Sequence, residues 1–186
     1  MKRLLLVVFF ILVFSICLFA ENLNGIFGIP FGATRSFTEK QMREKGWVLS
    51  KEKSNSLVFE KAFGTYANVI TNNIEITFFQ DKLYEVEITF GFTVADDEIF
   101  KVFNILKEHY NLVYMSQDER NYDGGFEVHE INFCDKEVNR FQFIQMLNPN
   151  DNIISLRQFI ITSRVITAEK RKFEEKEKNK DTLSDL

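Results

Sequence analysis

Residues 74–90 read IEITFFQDKLYEVEITF, and their pattern decides the fold. Ile74, Ile76 and Phe78 alternate with Glu75 and Thr77, and Tyr84, Val86, Ile88 and Phe90 alternate with Glu85, Glu87 and Thr89. A period of two sends successive side chains to opposite faces of a strand, so each run buries one face and wets the other. Between the runs, Gln80-Asp81-Lys82 supplies a tight turn. The stretch predicts an antiparallel hairpin in a sheet covered on one side.

Toward the N-terminus, Leu57, Phe59 and Phe63 form a further strand-like run, broken by Lys61. Before it, Ser36 with Glu39 and Thr38 with Gln41 fit the spacing of a capping box. They predict a short helix from about Phe37 to Lys45, stopped by Gly46 in the left-handed conformation, with Trp47 folded back on its end. Gly25, Gly28, Pro30 and Gly32 make the preceding segment irregular or extended.

Toward the C-terminus, Thr93 or Asp96 caps a second helix. Ile99, Phe100, Phe103, Leu106 and Tyr110 recur at spacings of three and four, which predicts a buried stripe, and Asn111 closes the helix. Asp96, Asp97 and Glu98 lie in its first turn, where carboxylates complement the helix dipole. A strand with Val128 and Phe133 follows, then one with Phe141, Phe143 and Gln145. After the turn at Asn148-Pro149-Asn150-Asp151, a third runs from Ile153 to Ile161.

The expected fold class is α+β, an antiparallel sheet or sheets with two helices packed on one face, in the order α-β-β-β-α-β-β-β. Residues 21–167 would form one domain, divisible into halves 21–92 and 93–167. Residues 168–186 make a charged tail, helical or disordered, in which Phe173 and Leu183 are the sizeable apolar side chains. Glu and Lys at spacings of three and four support a solvated helix there, which is either a frayed end or a docking arm.

Residues 1–20, MKRLLLVVFFILVFSICLFA, have the layout of a secretory signal peptide: basic Lys2 and Arg3, an apolar run, then small residues before Glu21. Cleavage after Ala20 is the first reading. Retention as an anchor is the second, because Leu4 to Ala20 approaches the ~17-residue minimum for a spanning helix. Lipidation of Cys17 is the third. The protein is expected to be exported, periplasmic or secreted. Removal of the leader leaves Cys134 as the single cysteine, which excludes a disulfide scaffold within one chain.

The chain has 23 basic and 27 acidic residues, and losing Lys2 and Arg3 brings the net charge to about −6. That balance gives no electrostatic reason to bind nucleic acid. No Gly-x-Ser-x-Gly, HExxH, CxxC or P-loop motif occurs. His129 and Cys134 are an odd number of positions apart, so on one strand they face opposite ways. No catalytic residue and no cofactor is assigned. Glu119, Asn121, Asp123 and Glu130 are spaced as weak candidate ligands of a calcium loop, whereas Asp123-Gly124-Gly125 also suits an ordinary hairpin turn.

The opening Phe27-Gly28-Ile29-Pro30-Phe31-Gly32, followed by Ser36, Thr38 and Met42…Lys45-Gly46, resembles the start of small exported bacterial α+β proteins. Phe78-Phe79-Gln80-Asp81-Lys82-Leu83-Tyr84 resembles their hairpin. More distantly the chain is similar to BamE (SmpA/OmlA)-like and β-lactamase-inhibitor-protein-like folds, where helices pack on one face of an antiparallel sheet. The resemblance implies non-catalytic protein binding in the cell envelope. The partner expected is an envelope or extracellular protein, with no nucleic acid. Membrane contact is expected only through a retained leader or a lipidated Cys17. An acid–base hydrolase using paired carboxylates and a calcium-dependent adhesion or sensing domain are the alternatives.

Overall fold

The computed structural model describes residues 25–66, 68–91, 94–122, 126–136, 139–148 and 153–184. The expected signal-peptide segment (residues 1–20), Thr93, Asp123-Gly124-Gly125 and the turn residues from Pro149 to Asp151 lie outside these ranges. A small hairpin of β1 (Gly25–Ile26) and β2 (Ile29–Pro30) precedes helix α1 (Arg35–Glu44). Strands β3 (Val48–Glu52), β4 (Ser56–Glu60), β5 (Thr65–Tyr66), β6 (Val69–Phe79) and β7 (Lys82–Phe90) follow. Helix α2 (Asp96–His109) leads into β8 (Val113–Tyr122), β9 (Phe126–Cys134), β10 (Arg140–Asn148) and β11 (Ile153–Thr162), and α3 (Arg164–Ser184) ends the described chain.

The large sheet has nine strands, in the order β3-β4-β6-β7-β11-β10-β9-β8, with β5 paired to β6 beside that path. Every pairing is antiparallel. Each half is a meander that starts at an outer edge and ends at the centre, where β7 meets β11. Gln80 (φ 48°) and Asp81 (φ 62°) form the two-residue β6–β7 turn, with Phe79 opposite Lys82. Two successive residues of positive φ give a type I′ turn, whose twist matches that of the flanking strands.

Alternation builds the core. One row across the sheet holds Phe59, Ile74, Ile88, Phe159, Phe143 and Ile131. The next holds Leu57, Ile76, Val86, Ile161, Phe141 and Phe133. Phe103 of α2 packs over this face, its ring 4.9 Å from Phe133 and 6.2 Å from Phe141. Met42 of α1 and Trp47 join the same buried cluster. Phe159 is the hub of the aromatic layer, with Phe90 at 4.8 Å, Phe141 at 5.0 Å and Phe143 at 5.5 Å.

Helix ends follow local chemistry. Gly46 (φ 81°) takes the left-handed position after α1, its amide donates to Arg43, and that of Trp47 donates to Met42. Asn111 (φ 48°) does the same after α2, donating to Glu108 while Leu112 donates to Lys107. Both are Schellman-type stops that satisfy carbonyls left free at the helix end.

Arg35 clamps the start of α1 to the strands. Its backbone amide donates to Asp81 Oδ1 (2.9 Å), and its guanidinium donates to Glu52 (2.9 Å) and to the carbonyls of Lys53 and Ser54. The same group lies 5.8 Å from the Phe78 ring centroid.

The structure corrects the expected order α-β-β-β-α-β-β-β. Among the described residues, each half supplies four strands to the main path, β5 adds a ninth, and a third helix follows the last strand. The unpredicted main-path strands are the edges: β3, with sequence VLSKE, and β8, VYMSQDERNY. Neither shows the clean alternation of a half-buried strand, because an edge strand has a neighbour on one side alone. Phe63 is not in a strand but in the loop after β4, with φ 55° and 92% exposure. Thr34, not Ser36 or Thr38, caps α1, its Oγ1 accepting from the amide of Phe37. Ala95 occupies the N-cap of α2 without a side-chain bond. Phe100 is half exposed, and Val102 takes the buried place beside Ile99 and Leu106. The C-terminal helix begins at Arg164, with Ile166 buried and Phe173 edge-on to Phe79 at 5.7 Å.

Replacing the hub ring should be costly. Phe159→Ala is expected to destabilise the fold by about 3–5 kcal/mol, the range for emptying a large aromatic site in a packed core. Urea unfolding would measure it as a lower midpoint at unchanged slope.

Candidate functional site

The face of the sheet opposite α1 and α2 is polar, by the same alternation that made the other face apolar. One row runs Val58, Glu75, Glu87, Ile160, Gln142, Asn132 and Ser116. The next runs Asn73, Thr89, Gln158, Ile144, Glu130 and Asp118. Helix α3 lies against one end of this face. Lys82 pairs with Glu169 at 2.9 Å, and the Lys170 ammonium donates to the Tyr84 hydroxyl at 3.0 Å while lying 4.9 Å from that ring's centroid.

Three hydrogen-bonded groups organise the polar face. On the β4–β6–β7 side, Lys53 Nζ donates to both oxygens of Glu75 (2.6 and 2.7 Å), and Ser56 Oγ donates to Glu75 Oε1 (2.6 Å). Gln158 Nε2 bridges Glu87 Oε1 (2.6 Å) and Thr89 Oγ1 (3.2 Å). On the β9–β10 side, the Gln142 amide donates to Glu130 Oε1 (2.8 Å) and Asn132 Oδ1 (2.8 Å). Asn132 in turn donates to Glu130 (2.9 Å). These bonds connect side chains across strands and fix the face as a surface of defined shape.

Glu75 and Glu87 stand directly opposite each other, with Glu85 opposite Thr77 on the same face. Like charges in that arrangement repel. Burial pushes the Glu87 carboxyl above its ordinary range, reinforced by Glu75 and Glu85. Burial also pushes Glu85 up, against the opposing pull of Lys170. Burial acts on Glu75 in the same sense, but the bonds from Lys53 and Ser56 outweigh it and hold that carboxyl below its usual range.

The second feature is the edge strand β8. Val113 (62% exposed), Tyr114 (55%) and Met115 (48%) form a consecutive apolar run at its start. The ladder to β9 shifts register between Tyr114 and Ser116, so Met115 bulges out of the pairing. The Tyr114 ring is held edge-on to Phe133 at 5.7 Å. Bulges of this kind aim side chains at sheet edges, and the outer backbone of an edge strand offers amides and carbonyls to another strand.

The candidate calcium ligands do not converge. Glu119 lies on the helix-covered face, opposite His129, whose Nδ1 is 3.5 Å from Glu119 Oε1. Glu130 is buried on the other face, in the Gln142–Asn132 group. Asn121 is in β8 opposite Glu127, and Asp123 lies outside the described residues. His129 and Cys134 also project to opposite faces, His129 in register with Gln145 and Cys134 with Arg140. Neither the open face nor the β8 edge is marked by a sequence motif: one emerges from cross-strand register, the other from a place in the strand order.

No family model, curated protein or solved structure matches this chain.

The carboxylate row gives a stability prediction of definite sign. A raised carboxyl pKa means that the folded state binds more protons than the unfolded chain between the ordinary and the raised value. Its contribution to stability is therefore full below the ordinary value and is lost as pH rises through that window. Glu87→Gln keeps an acceptor for Gln158 and removes the repulsion. It should raise stability by about 0.2–1 kcal/mol near pH 7, the scale of one cross-strand charge pair, with the gain vanishing at low pH. Thermal unfolding at the two pH values would measure it.

Proposed function

We propose that this chain is an exported, non-enzymatic envelope protein that acts as a protein-interaction module, with β8 as its contact strand. The observation that carries the reading is the β8 edge, a ten-residue strand with three consecutive apolar side chains exposed at its start. An extended segment of a partner would add a strand there: main-chain hydrogen bonds supply affinity, and Tyr114, Met115 and the neighbouring surface supply selectivity. The signal-peptide layout of residues 1–20 supports an envelope location. The resemblance to small exported α+β proteins points the same way. The hydrogen-bonded polar face supports the reading as a rigid platform, which limits the ordering cost of association.

A photo-activatable residue in place of Met115, in the full chain expressed in cells, tests the proposal. The expected result is a discrete adduct with one envelope protein, mapping to an extended segment of it. Val113→Lys should abolish the adduct while shifting stability by no more than about 0.5 kcal/mol, as surface substitutions do. An adduct from Gln142 on the open face, and none from Met115, would move the contact off the edge and overturn the assignment of β8.

A second reading, an acid–base hydrolase, draws on the facing pair Glu75 and Glu87, one bonded to the Lys53 ammonium and Ser56 and the other to the neutral Gln158 amide. Opposed carboxyls of this kind divide the acid and base roles in known hydrolases. Hydrolysis of a glycoside or ester panel that disappears in Glu87→Gln would establish it.

A further inference from the structure

We propose that the end of the domain where the described chain begins rests on a lipid bilayer, with the Phe63 ring inserted among the acyl chains. The inference goes beyond the interaction reading, rests on a different part of the molecule, and takes the N-terminal segment as retained or lipidated at Cys17 rather than cleaved after Ala20.

Phe63 is the starting observation. It is 92% exposed and has φ 55°. Bulky residues avoid the left-handed region, so such a position marks a conformation imposed by its surroundings. Its loop is pinned on both sides: the Gly64 amide donates to the Lys61 carbonyl at 2.8 Å, and the Gly64 carbonyl accepts from the Thr71 amide at 2.8 Å. A side chain at Gly64 would collide with Trp47, since a Cβ there would lie 2.9 Å from the Trp47 ring. The backbone is thus held hard against the core while the adjacent Phe ring is turned outward.

The surroundings of Phe63 suit a membrane interface. Ile70, 50% exposed, sits opposite Thr65 in the short β5–β6 ladder. Lys61 and Lys45 are both exposed, and Lys61 Nζ donates to the Lys45 carbonyl at 2.8 Å. Apolar side chains flanked by lysines sit stably at the headgroup boundary, with ammonium groups in the polar layer.

The position of the chain start selects lipid as the occupant. The Phe27 ring is 5.8 Å from that of Trp47 and 5.7 Å from that of Tyr66, and Trp47 is the residue against which Gly64 packs. Gly25, two positions before Phe27, therefore lies at the same end of the molecule as Phe63. The apolar run of the leader stops at Ala20. The intervening Glu21 to Asn24 reach at most about 14 Å when extended. A leader retained in the bilayer, or a lipidated Cys17, brings this end to the membrane surface.

Trp47 is the one tryptophan in the sequence, so it reports on this end without a label. The protein made from the full reading frame would be purified from the envelope with the N-terminus it carries there. It would then be bound to phosphatidylcholine–phosphatidylglycerol vesicles, ordinary or brominated high on the acyl chains. The wild type is expected to float with the vesicles, with its Trp47 emission quenched by the brominated lipid. Phe63→Asn keeps a residue that tolerates left-handed backbone, so the fold should stand by circular dichroism. It should lose most of the quenching, because the ring that seats this end in the acyl layer is gone, while flotation through the N-terminal anchor persists.

Failure to float, equal emission in the two vesicle types, or quenching unchanged by Phe63→Asn would each overturn the proposal. So would loss of an envelope-protein adduct in Phe63→Asn with vesicle quenching intact, because the ring would then be a protein contact. The Met115 adduct is an independent readout. Its survival in Phe63→Asn separates failure here from failure of the β8 reading.

Discussion

The pairing of β7 with β11 is the constraint on which the rest depends. Five residue pairs, from Gln158 opposite Thr89 to Thr162 opposite Glu85, join two meanders that otherwise run away from each other. That ladder brings Ile88 beside Phe159 and Val86 beside Ile161, so two apolar half-faces become one core. It also places Phe159 between Phe90 and the ring pair Phe141 and Phe143. A register slip of one residue would exchange faces for the whole of β11, sending Phe159 to the polar side. The aromatic layer therefore enforces the register, and the register in turn assembles both surfaces of the sheet.

The polar surface is a consequence of that register, at an electrostatic cost. Glu75 and Glu87 are set opposite each other, and the strain is distributed by giving them different partners. Glu75 keeps its charge through Lys53 and Ser56, while Glu87 is bridged by Gln158 from the other half of the sheet. The Gln158 bond to Glu87 is thus a second tie between the halves, on the opposite face from the aromatic one. At the far end, α3 is held on the sheet by Lys170 on Tyr84 and Phe173 on Phe79, so part of the charged tail belongs to the folded unit.

Legibility followed burial. The β6–β7 hairpin was readable because each strand has neighbours on both sides and one covered face, which imposes strict alternation on IEITF and YEVEITF. The stops at Gly46 and Asn111 were readable because left-handed backbone favours those residues. The edges β3 and β8 were not, since a strand paired on one side and exposed on the other tolerates VLSKE or VYMSQ without period. Phe63 misled for a related reason: position in an alternating run suggested burial, while the Gly64 contact with Trp47 turned the ring outward. Arg35 was invisible because its partners lie 17 to 46 positions away.

By itself the sequence determined the alternating strands, the two helix stops, the apolar, basic-led character of residues 1–20 and a net acidic balance. Each of these is a local property, set by period, backbone conformation or composition. Tertiary structure alone decided which strand sits at the centre and which at the edge. It also decided that Glu75, Glu85, Glu87 and Glu130 share one face of the sheet, and that Phe63 points into solvent beside the start of the described chain. Those depend on register between distant segments, and register is fixed by the packing of the assembled core.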